Sequence, residues 1–231
     1  MLQLDQLTLA EGSFTLSANW TLPAGAKLAL LGGSGAGKST LLMGLAGFIA
    51  PKTGRILWMG RDLGPLSPAK RPMSILFQDQ NLFPHLTLAQ NLGLAINPHL
   101  TLTAADRTRV LGVLDRLGLA GMADRKPANL SGGQLGRAAL GRVLLQARPV
   151  LLLDEPFAAL GPALKADLLA LVRDLAAENG TTVILVTHDP EDARRFADQV
   201  ALVHDGVAET PLPTHAMFAD PPAALKTYLG R

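Results

Sequence analysis

Apolar and polar positions alternate at the start of the chain, between residues 2 and 22. Leucines stand at positions 2, 4, 7 and 9, and Phe14 and Leu16 continue the alternation. Because successive side chains of a strand point to opposite faces, this pattern predicts antiparallel strands with one buried face. The next apolar run, at 27–31, is nearly continuous, which is typical of a strand buried on both faces.

A glycine-rich loop at 32–37 separates that strand from a stretch with helical spacing. Apolar residues between Ser39 and Ala50 recur every three or four positions, so a helix is expected there. Pro51 and Gly54 bound a short segment that predicts a turn and the end of this helix. Strands are expected next at 55–59 and 74–77.

Helical patterns dominate the middle of the chain. Thr87 and Gln90 form a capping box, in which two side chains satisfy backbone donors at the start of a helix. A second helix is predicted at about 104–117, closed by Gly118. A third should begin near Ser131 and end before Pro149. Residues 87–149 are therefore expected to form a mainly helical insert.

Strands and helices alternate again after the insert. Asp189 and Pro190 suit the cap and the first turn of a helix. Beyond residue 211 the chain is proline-rich and predicted to be less regular. Strands are expected at 150–153, 181–186 and 200–203, and a helix at 162–179. The alternation favours an α/β fold.

Composition and charge exclude several classes of protein. The 231 residues include no cysteine, which rules out a disulfide scaffold, a thiolate zinc site and a cysteine nucleophile. Lysine and arginine number 21 against 19 acidic residues, and this net charge of +2 argues against a large nucleic-acid footprint. No apolar run approaches the roughly 18–20 residues of a membrane helix, and no signal-peptide pattern is present. We expect a soluble, cytoplasmic chain.

The glycine-rich loop matches the pattern G-x-x-x-x-G-K-[ST], with a predicted strand before it and a helix after it. Its glycines let backbone N–H groups turn toward phosphate oxygens, and the helix N-terminus adds partial positive charge. Lys38 should reach the terminal phosphates of a nucleoside triphosphate, and the Ser39 hydroxyl should ligate Mg²⁺. The predicted nucleotide-binding residues are Gly32, Gly33, Ser34, Gly35, Ala36, Gly37, Lys38, Ser39 and Thr40.

Two adjacent carboxylates follow the apolar strand predicted at 150–153. Asp154 is placed to support Mg²⁺, as an aspartate at such a strand end does in P-loop enzymes. Glu155 is placed to polarise a water that attacks the γ-phosphoryl group. Two acids at a strand end are often ordinary surface charges, but the phosphate loop in the same chain favours the catalytic interpretation.

The segment 130–134 admits two interpretations. Ser131 and Gln134 have the spacing of a capping box for the following helix. The same residues, with Gly132 and Gly133 between them, could instead bind an anion at the helix N-terminus. The two interpretations are compatible, because the cap and the anion site occupy the same end of the helix.

With these motifs the whole chain resembles the ATPases of the ATP-binding-cassette (ABC) family. The phosphate loop, Gln78, the segment 130–134, the pair at 154–155 and His188 follow one another in that family's order. The resemblance implies an α/β P-loop domain with a RecA-like mixed sheet core, an antiparallel β subdomain and a helical subdomain. It implies a single domain over 1–231, with the core and β subdomain at 1–86 and 150–231 and the helical subdomain at 87–149.

The resemblance also implies a head-to-tail homodimer with two ATP molecules at its interface. Each ATP would contact the phosphate loop of one subunit and the other subunit's residues Ser131, Gly132, Gly133 and Gln134. Mg²⁺ would be held by Ser39, Gln78 and Asp154. Gln78 would also sense the transmembrane partner, and His188 would contact the γ-phosphate.

Two positions depart from the family's pattern. Gly161 stands where the family usually has an aspartate in a loop that crosses the dimer interface. The family also stacks adenine on an aromatic side chain near the N-terminus, where this chain has no tyrosine and where Phe14 looks like a core strand residue. The first departure affects communication between the two ATP sites of the dimer. The second affects recognition of the adenine base.

The length of the chain and its single phosphate loop favour the ATPase subunit of a bacterial importer. The segment 77–98 is most similar to the ATPases of thiamine importers, and importers of iron, sulfate, molybdate and polyamines share part of the pattern. A soluble ABC ATPase acting on nucleic acid is the alternative from another class, which the near-neutral charge disfavours. The expected partners are an integral membrane permease and, indirectly, a periplasmic binding protein, at the cytoplasmic face of the inner membrane.

Overall fold

The computed structural model describes residues 1–79 and 82–229. They form two compact units. The first unit comprises Met1–Met73, Pro149–Glu155 and the chain from Leu169 onward, and the second comprises Ser74–Arg148 and Pro156–Leu168. The second unit therefore begins earlier than the helical insert expected at 87–149, and it includes a further segment after the acidic pair.

Most of the predicted strands are present with small shifts of their ends. The strands are β1 (Leu2–Glu11), β2 (Phe14–Leu22), β3 (Lys27–Leu31), β4 (Pro51–Trp58), β5 (Arg61–Asp62), β6 (Met73–Leu76), β7 (Val150–Asp154), β8 (Thr182–Val186), β9 (Gln199–His204), β10 (Val207–Ala208) and β11 (Leu212–Pro213).

The helices likewise follow the predicted periodicity. They are α1 (Lys38–Ala46), α2 (Leu88–Gly93), α3 (Ala104–Arg116), α4 (Gly132–Leu145), α5 (Pro162–Asn179), α6 (Pro190–Phe196), α7 (Thr214–Ala219) and α8 (Ala223–Tyr228). Within the described ranges, no helix has both the length and the apolar character that crossing a membrane requires.

A mixed sheet forms the framework of the first unit. Its strands follow the order β5-β4-β1-β2-β10-β9-β3-β8-β7, and β11 pairs with β9. β1 pairs antiparallel with β2 and β4, whereas β3 pairs parallel with β8 and β9, and β7 parallel with β8. The sheet thus combines an antiparallel part with a parallel part, which agrees with the expected fold class.

The register of the parallel strands determines where functional side chains meet. Val186 of β8 lies opposite Leu30 of β3 on one side and opposite Asp154 of β7 on the other. The carboxyl ends of the three strands are therefore level. In open α/β sheets this edge is where ligands bind, because the loops that leave the strands gather there. β3, β7 and β8 are almost wholly buried, as their continuous apolar runs predict.

Three expectations about the first unit were wrong. The predicted turn at 51–54 is the start of β4, in which Pro51 and Thr53 pair with β1. The first helix ends at Ala46 and not near residue 50, because Gly47 adopts φ +92° and its N–H closes the last turn onto Met43. The chain beyond 211 is also regular, since it forms β11, α7 and α8.

The second unit is built around α2, α3 and α4, which contact one another. Its predicted capping boxes are confirmed: the Thr87 and Ser131 side chains each accept from the backbone three residues on, and the paired glutamines reach back. Gly141 of α4 allows the close packing, because a Cβ there would lie 2.8 Å from Leu117 and 3.1 Å from Leu92.

Candidate functional site

The phosphate loop leaves β3 and enters α1 in a conformation that requires glycine at two points. At Gly32 a Cβ would lie 2.1 Å from the carbonyl oxygen of Val203, so only glycine fits beside β9. Gly37 caps α1 with φ +104°, and a Cβ there would lie 2.8 Å from the Phe14 ring. The loop residues Gly33, Ser34 and Gly35 are exposed to solvent. The backbone amides at the start of α1 therefore face an open site.

Lys38 lies beneath the phosphate loop. Its side chain is 6% exposed, and its Nζ donates hydrogen bonds of 2.8 Å to the carbonyl oxygens of Gly32 and Gly33. Burial lowers the pKa of this amine, and the nearby carboxylates of Glu155 and Asp154 oppose that shift. A cation is thus held inside the loop by carbonyl oxygens, and a more strongly charged acceptor such as a phosphate can compete for it.

Ser39 and Asp154 come together at the carboxyl ends of β3 and β7. The Ser39 hydroxyl donates a 3.0 Å hydrogen bond to Oδ1 of Asp154. Burial raises the pKa of Asp154, and the Ser39 hydrogen bond and Lys38 act in the opposite direction. A hydroxyl and a carboxylate oxygen are the hard ligands that Mg²⁺ takes in phosphate-binding sites, so the donor set fits this ion.

Thr40 lies one residue further along α1. Its hydroxyl is directed at Oε2 of Glu11, with a donor–acceptor distance of 3.4 Å. Thr40 therefore engages a second carboxylate of the first unit, in addition to the contact of Ser39 with Asp154.

Glu155 and His188 form a second pair at the same edge. Oε2 of Glu155 lies 2.8 Å from Nδ1 of His188. Glu155 has a φ of +43°, an uncommon conformation for a residue with a side chain, and its N–H donates to the carbonyl of Val186. The turn after β7 thereby directs the Glu155 carboxylate toward the loop that follows β8. The structure brings together the phosphate loop, Asp154, Glu155 and His188.

The second unit contains the remaining predicted site residues. Ser131 caps α4, Gly132 and Gly133 form the first turn of that helix, and Gln134 completes the capping box. A Cβ on Gly133 would lie 2.6 Å from Leu164, so the turn packs closely against the start of α5. Gln78 follows β6, and its side chain is exposed.

The two departures from the family's pattern differ in their surroundings. Phe14 is half-buried, packs its ring against Gly37 and lines a groove of about 580 Å³ together with the phosphate loop and the turn at 203–206. Gly161 precedes α5, and a Cβ there would meet no atom within 4 Å. Space therefore does not exclude an aspartate at 161.

One contact at this edge involves a residue that the sequence pattern did not single out. Tyr228, the single tyrosine of the chain, donates a hydrogen bond from its hydroxyl to the carbonyl of His188. The segment beyond 211 lacks a clear periodicity, so its contribution to the site could not be read from the sequence. The feature of the sequence that could have drawn attention to this residue is that it is the single tyrosine of a chain with few aromatic residues.

A glycine-rich loop between a buried parallel strand and a helix, with acidic residues at the end of a second parallel strand of the same sheet, defines a P-loop nucleotide-binding domain. The comparison with protein families agrees with this class. The family profile described as "ABC transporter" matches residues 16–158. The chain belongs to the ABC transporter family.

Similar proteins cover the full length of the chain. The Thiamine import ATP-binding protein ThiQ of Cereibacter sphaeroides is 66% identical over 230 residues, which is 100% of each chain. The protein of the same name from Ruegeria sp. (strain TM1040) is 54% identical over 230 residues, again 100% of each. Among solved structures, the dimeric post-hydrolysis state of the ATP-binding cassette MJ0796 bound to ADP and Pi has a TM-score of 0.79 at 29% identity, covering 93% of this chain and 99% of that one.

Proposed function

We propose that the chain is the ATP-binding and ATP-hydrolysing subunit of a bacterial importer that takes up thiamine or its phosphates. The ATPase activity rests on one observation: the Ser39–Asp154 and Glu155–His188 pairs lie at the same sheet edge as the phosphate loop. The assignment of thiamine as the cargo rests on the full-length similarity to proteins named as thiamine import ATP-binding proteins.

In this proposal the phosphate loop binds the β- and γ-phosphates of ATP. The backbone N–H groups at the start of α1 face the anion, and the Lys38 ammonium transfers its hydrogen bonds from the loop carbonyls to phosphate oxygens. Ser39, Asp154 and Gln78 would hold Mg²⁺. When bound, this ion neutralises charge on the phosphoryl oxygens.

Glu155 and His188 act on the hydrolytic step. The Glu155 carboxylate accepts a proton from the attacking water, whose oxygen forms the new bond to phosphorus as the bond to the ADP oxygen breaks. His188 contacts the γ-phosphate and, through Nδ1, fixes the Glu155 side chain. The Glu155 N–H donates to the carbonyl of Val186, and this bond fixes the turn from which the carboxylate projects.

The segment 131–134 serves the ATP that is bound to a second copy of the chain. α4 has 14 residues and begins with a capped turn whose N–H groups carry partial positive charge, so its N-terminus suits a γ-phosphate. The proposed assembly is a head-to-tail homodimer, and its support is the dimeric cassette to which the chain is similar.

A permease is the proposed partner of the segment around Phe83. Asn91 is buried and binds this segment at four points: it accepts from the Phe83 N–H at 2.7 Å and donates to the carbonyls of Phe83, Leu86 and Thr87. The Phe83 ring is nevertheless 44% exposed, with the Arg142 guanidinium 6.0 Å from its centre. A rigidly held aromatic residue at the surface suits a docked helix.

This docking would place the chain at the cytoplasmic face of the inner membrane, with a periplasmic binding protein acting from the other side. Gln78, at the start of the segment, would link the docked helix to the nucleotide. Gln80 and Asn81, which belong to the segment that resembles importer ATPases, lie outside the described residues.

The proposed function is tested with the complex in lipid vesicles. The chain is reconstituted with its permease and binding protein, and ATP hydrolysis is measured with thiamine, a thiamine phosphate, ferric iron, sulfate, molybdate or a polyamine. We expect stimulation by thiamine or its phosphates alone. Stimulation by another cargo would replace the substrate and leave the ATPase activity standing, whereas no hydrolysis in any mixture would contradict the proposal as a whole.

A further inference from the structure

Helix α8 (Ala223–Tyr228) packs against the rest of the first unit through a buried leucine. Leu225 is fully buried, and α8 lies beside β9. Tyr228 lies three residues after Leu225, so the two side chains share a face of the helix. The Tyr228 hydroxyl on that face reaches the carbonyl of His188. An element far along the chain therefore contacts the backbone of a proposed active-site residue.

The loop that carries His188 is fixed on both sides of this carbonyl. The Thr187 hydroxyl donates to the buried Asp192 carboxylate at 2.6 Å and accepts from the Asp189 N–H at 3.1 Å. The His188 side chain is 58% exposed, in contrast, and its contact at 2.8 Å is to Glu155. The orientation of such an exposed ring depends on the peptide group from which it projects.

We propose that Tyr228 is a positioning residue for ATP hydrolysis: its hydroxyl fixes the His188 peptide carbonyl and thereby holds the imidazole against Glu155. The inference rests on the proposed function, because it assigns a supporting residue to that hydrolytic site. The Tyr228 hydroxyl donates only to the main chain, so substrate binding does not depend on it directly.

The surroundings of Tyr228 keep its hydroxyl a hydrogen-bond donor. Burial raises the pKa of this phenol, and the carboxylates of Glu155 and Asp189 raise it further. Ionisation would place a third negative charge beside these two acids. The raised pKa of Tyr228 favours the protonated hydroxyl, which is the form that donates to the carbonyl of His188.

Steady-state ATP hydrolysis by the full-length chain tests the inference. Tyr228→Phe removes the hydroxyl and keeps the ring, so we expect kcat to fall about threefold to tenfold, the effect of one hydrogen bond, with KM for ATP unchanged. Thr227→Ala is the matched control, because it removes a hydroxyl of the same helix whose hydrogen bond, among the described residues, goes to the carbonyl of Ala223. It should leave kcat and KM at the parent values.

A spectroscopic measurement separates positioning from general destabilisation. The imidazole nitrogens of the five histidines are recorded by nitrogen-15 NMR, and His188→Gln assigns the resonance of His188. Tyr228→Phe should shift that resonance alone, and Thr227→Ala should shift none. Parent-like kcat in Tyr228→Phe, a change confined to KM, or an unmoved His188 resonance would each overturn the inference. Glu155→Gln tests the proposed function independently, since its failure to abolish hydrolysis would refute the catalytic assignment whatever Tyr228 does.

Discussion

The Ser39 hydroxyl donates a hydrogen bond of 3.0 Å to Oδ1 of Asp154, although 115 positions separate the two residues in the sequence. The contact forms because β3 and β7 both pair with β8 and end level with it. Asp154 ends β7, and Ser39 lies in the first turn of α1, which follows β3 through the phosphate loop, so the hydroxyl and the carboxylate meet at this edge of the sheet. The strand register, and not proximity along the chain, assembles the oxygen atoms proposed to hold Mg²⁺.

Burial of Asp154 predicts a stability cost that depends on pH. Burial raises the pKa of this carboxyl group, so the folded state binds its proton more tightly than the unfolded state does. The folded state is consequently favoured below the ordinary pKa and loses this advantage as the pH rises through the raised value. Asp154→Asn keeps an acceptor for Ser39 and removes the charge. We expect its unfolding midpoint to exceed that of the parent at pH 8, with the difference narrowing toward pH 4.

Thermal unfolding followed by circular dichroism across this pH range measures the effect. Asp5→Asn, which changes an exposed ion pair with Arg55 in the same unit, is the control and should not raise the midpoint at pH 8. An Asp154→Asn midpoint below the parent value at pH 8 would mean that the charge stabilises the fold, contrary to the argument.

Glu155→Gln should separate ATP binding from ATP hydrolysis. The substitution preserves size but removes the carboxylate that accepts the proton of the attacking water, and loss of a positioned general base costs roughly 10²–10⁴-fold in rate. ATP affinity should stay near the parent value, because Glu155 is not part of the phosphate loop. Turnover assays and equilibrium binding measure the two quantities.

The same variant should accumulate as a dimer with ATP bound. Light scattering with ATP present should report twice the monomer mass, and the dimer should disappear without nucleotide. Turnover close to that of the parent would remove Glu155 from the mechanism.

Lys38 and Ser131 should differ in which binding event they support. Lys38→Ala removes the buried ammonium that lies beside the loop carbonyls, so ATP affinity of the isolated chain should fall at least tenfold. Ser131→Ala removes a cap in the second unit and should leave that affinity nearly unchanged, while weakening ATP-driven dimerisation. Fluorescent ATP binding and light scattering measure these effects. Equal losses of monomer affinity would contradict a site composed from two subunits.

Local motifs could be predicted from the sequence because their physics is local. A capping box requires two residues three apart, and the phosphate loop requires glycines at fixed positions before a helix. The structure confirms both capping boxes. The doubly buried strands were predictable as well, since continuous apolar runs are their direct consequence.

Contacts between distant segments could not be predicted in the same way. Pro51 looks like a turn residue, but β1 is available for pairing and places it at the start of β4. Tyr228 lies in a proline-rich segment whose helices are too short to show periodicity. Arg71 gave no signal at all, because an isolated arginine is normally exposed and only the tertiary fold buries this one.

Substitution of Arg71 should cause a large loss of stability. This residue is 2% exposed, and its Nη1 donates to the carbonyls of Gly44 and Leu45 near the end of α1 at 2.8 and 2.7 Å. Arg71→Met retains the aliphatic part but leaves these buried acceptors without the guanidinium, which we expect to cost about 2–4 kcal/mol. Arg61→Met, at an exposed position of β5, should cost less than about 0.5 kcal/mol. Denaturant unfolding of both variants measures the difference.

Phe83 should decide assembly with the permease without affecting the chemistry. Its ring is 44% exposed, and Asn91 fixes the backbone beneath it, so a charge at this position changes the surface and leaves the buried contacts intact. Aromatic residues at the centre of an interface typically contribute 2 kcal/mol or more, so Phe83→Asp should weaken binding to the permease by about 30-fold.

Leu111 provides the matched control for Phe83. It is a large apolar residue on α3 of the same unit and is 48% exposed. Leu111→Asp introduces the same charge and should leave assembly unchanged, and both variants should retain basal ATP hydrolysis within twofold of the parent. The measurement is co-purification of the chain with detergent-solubilised permease, followed by titration of the isolated partners. If both substitutions weaken assembly equally, the permease responds to charge on this unit in general, and the Phe83 surface is not its specific docking site.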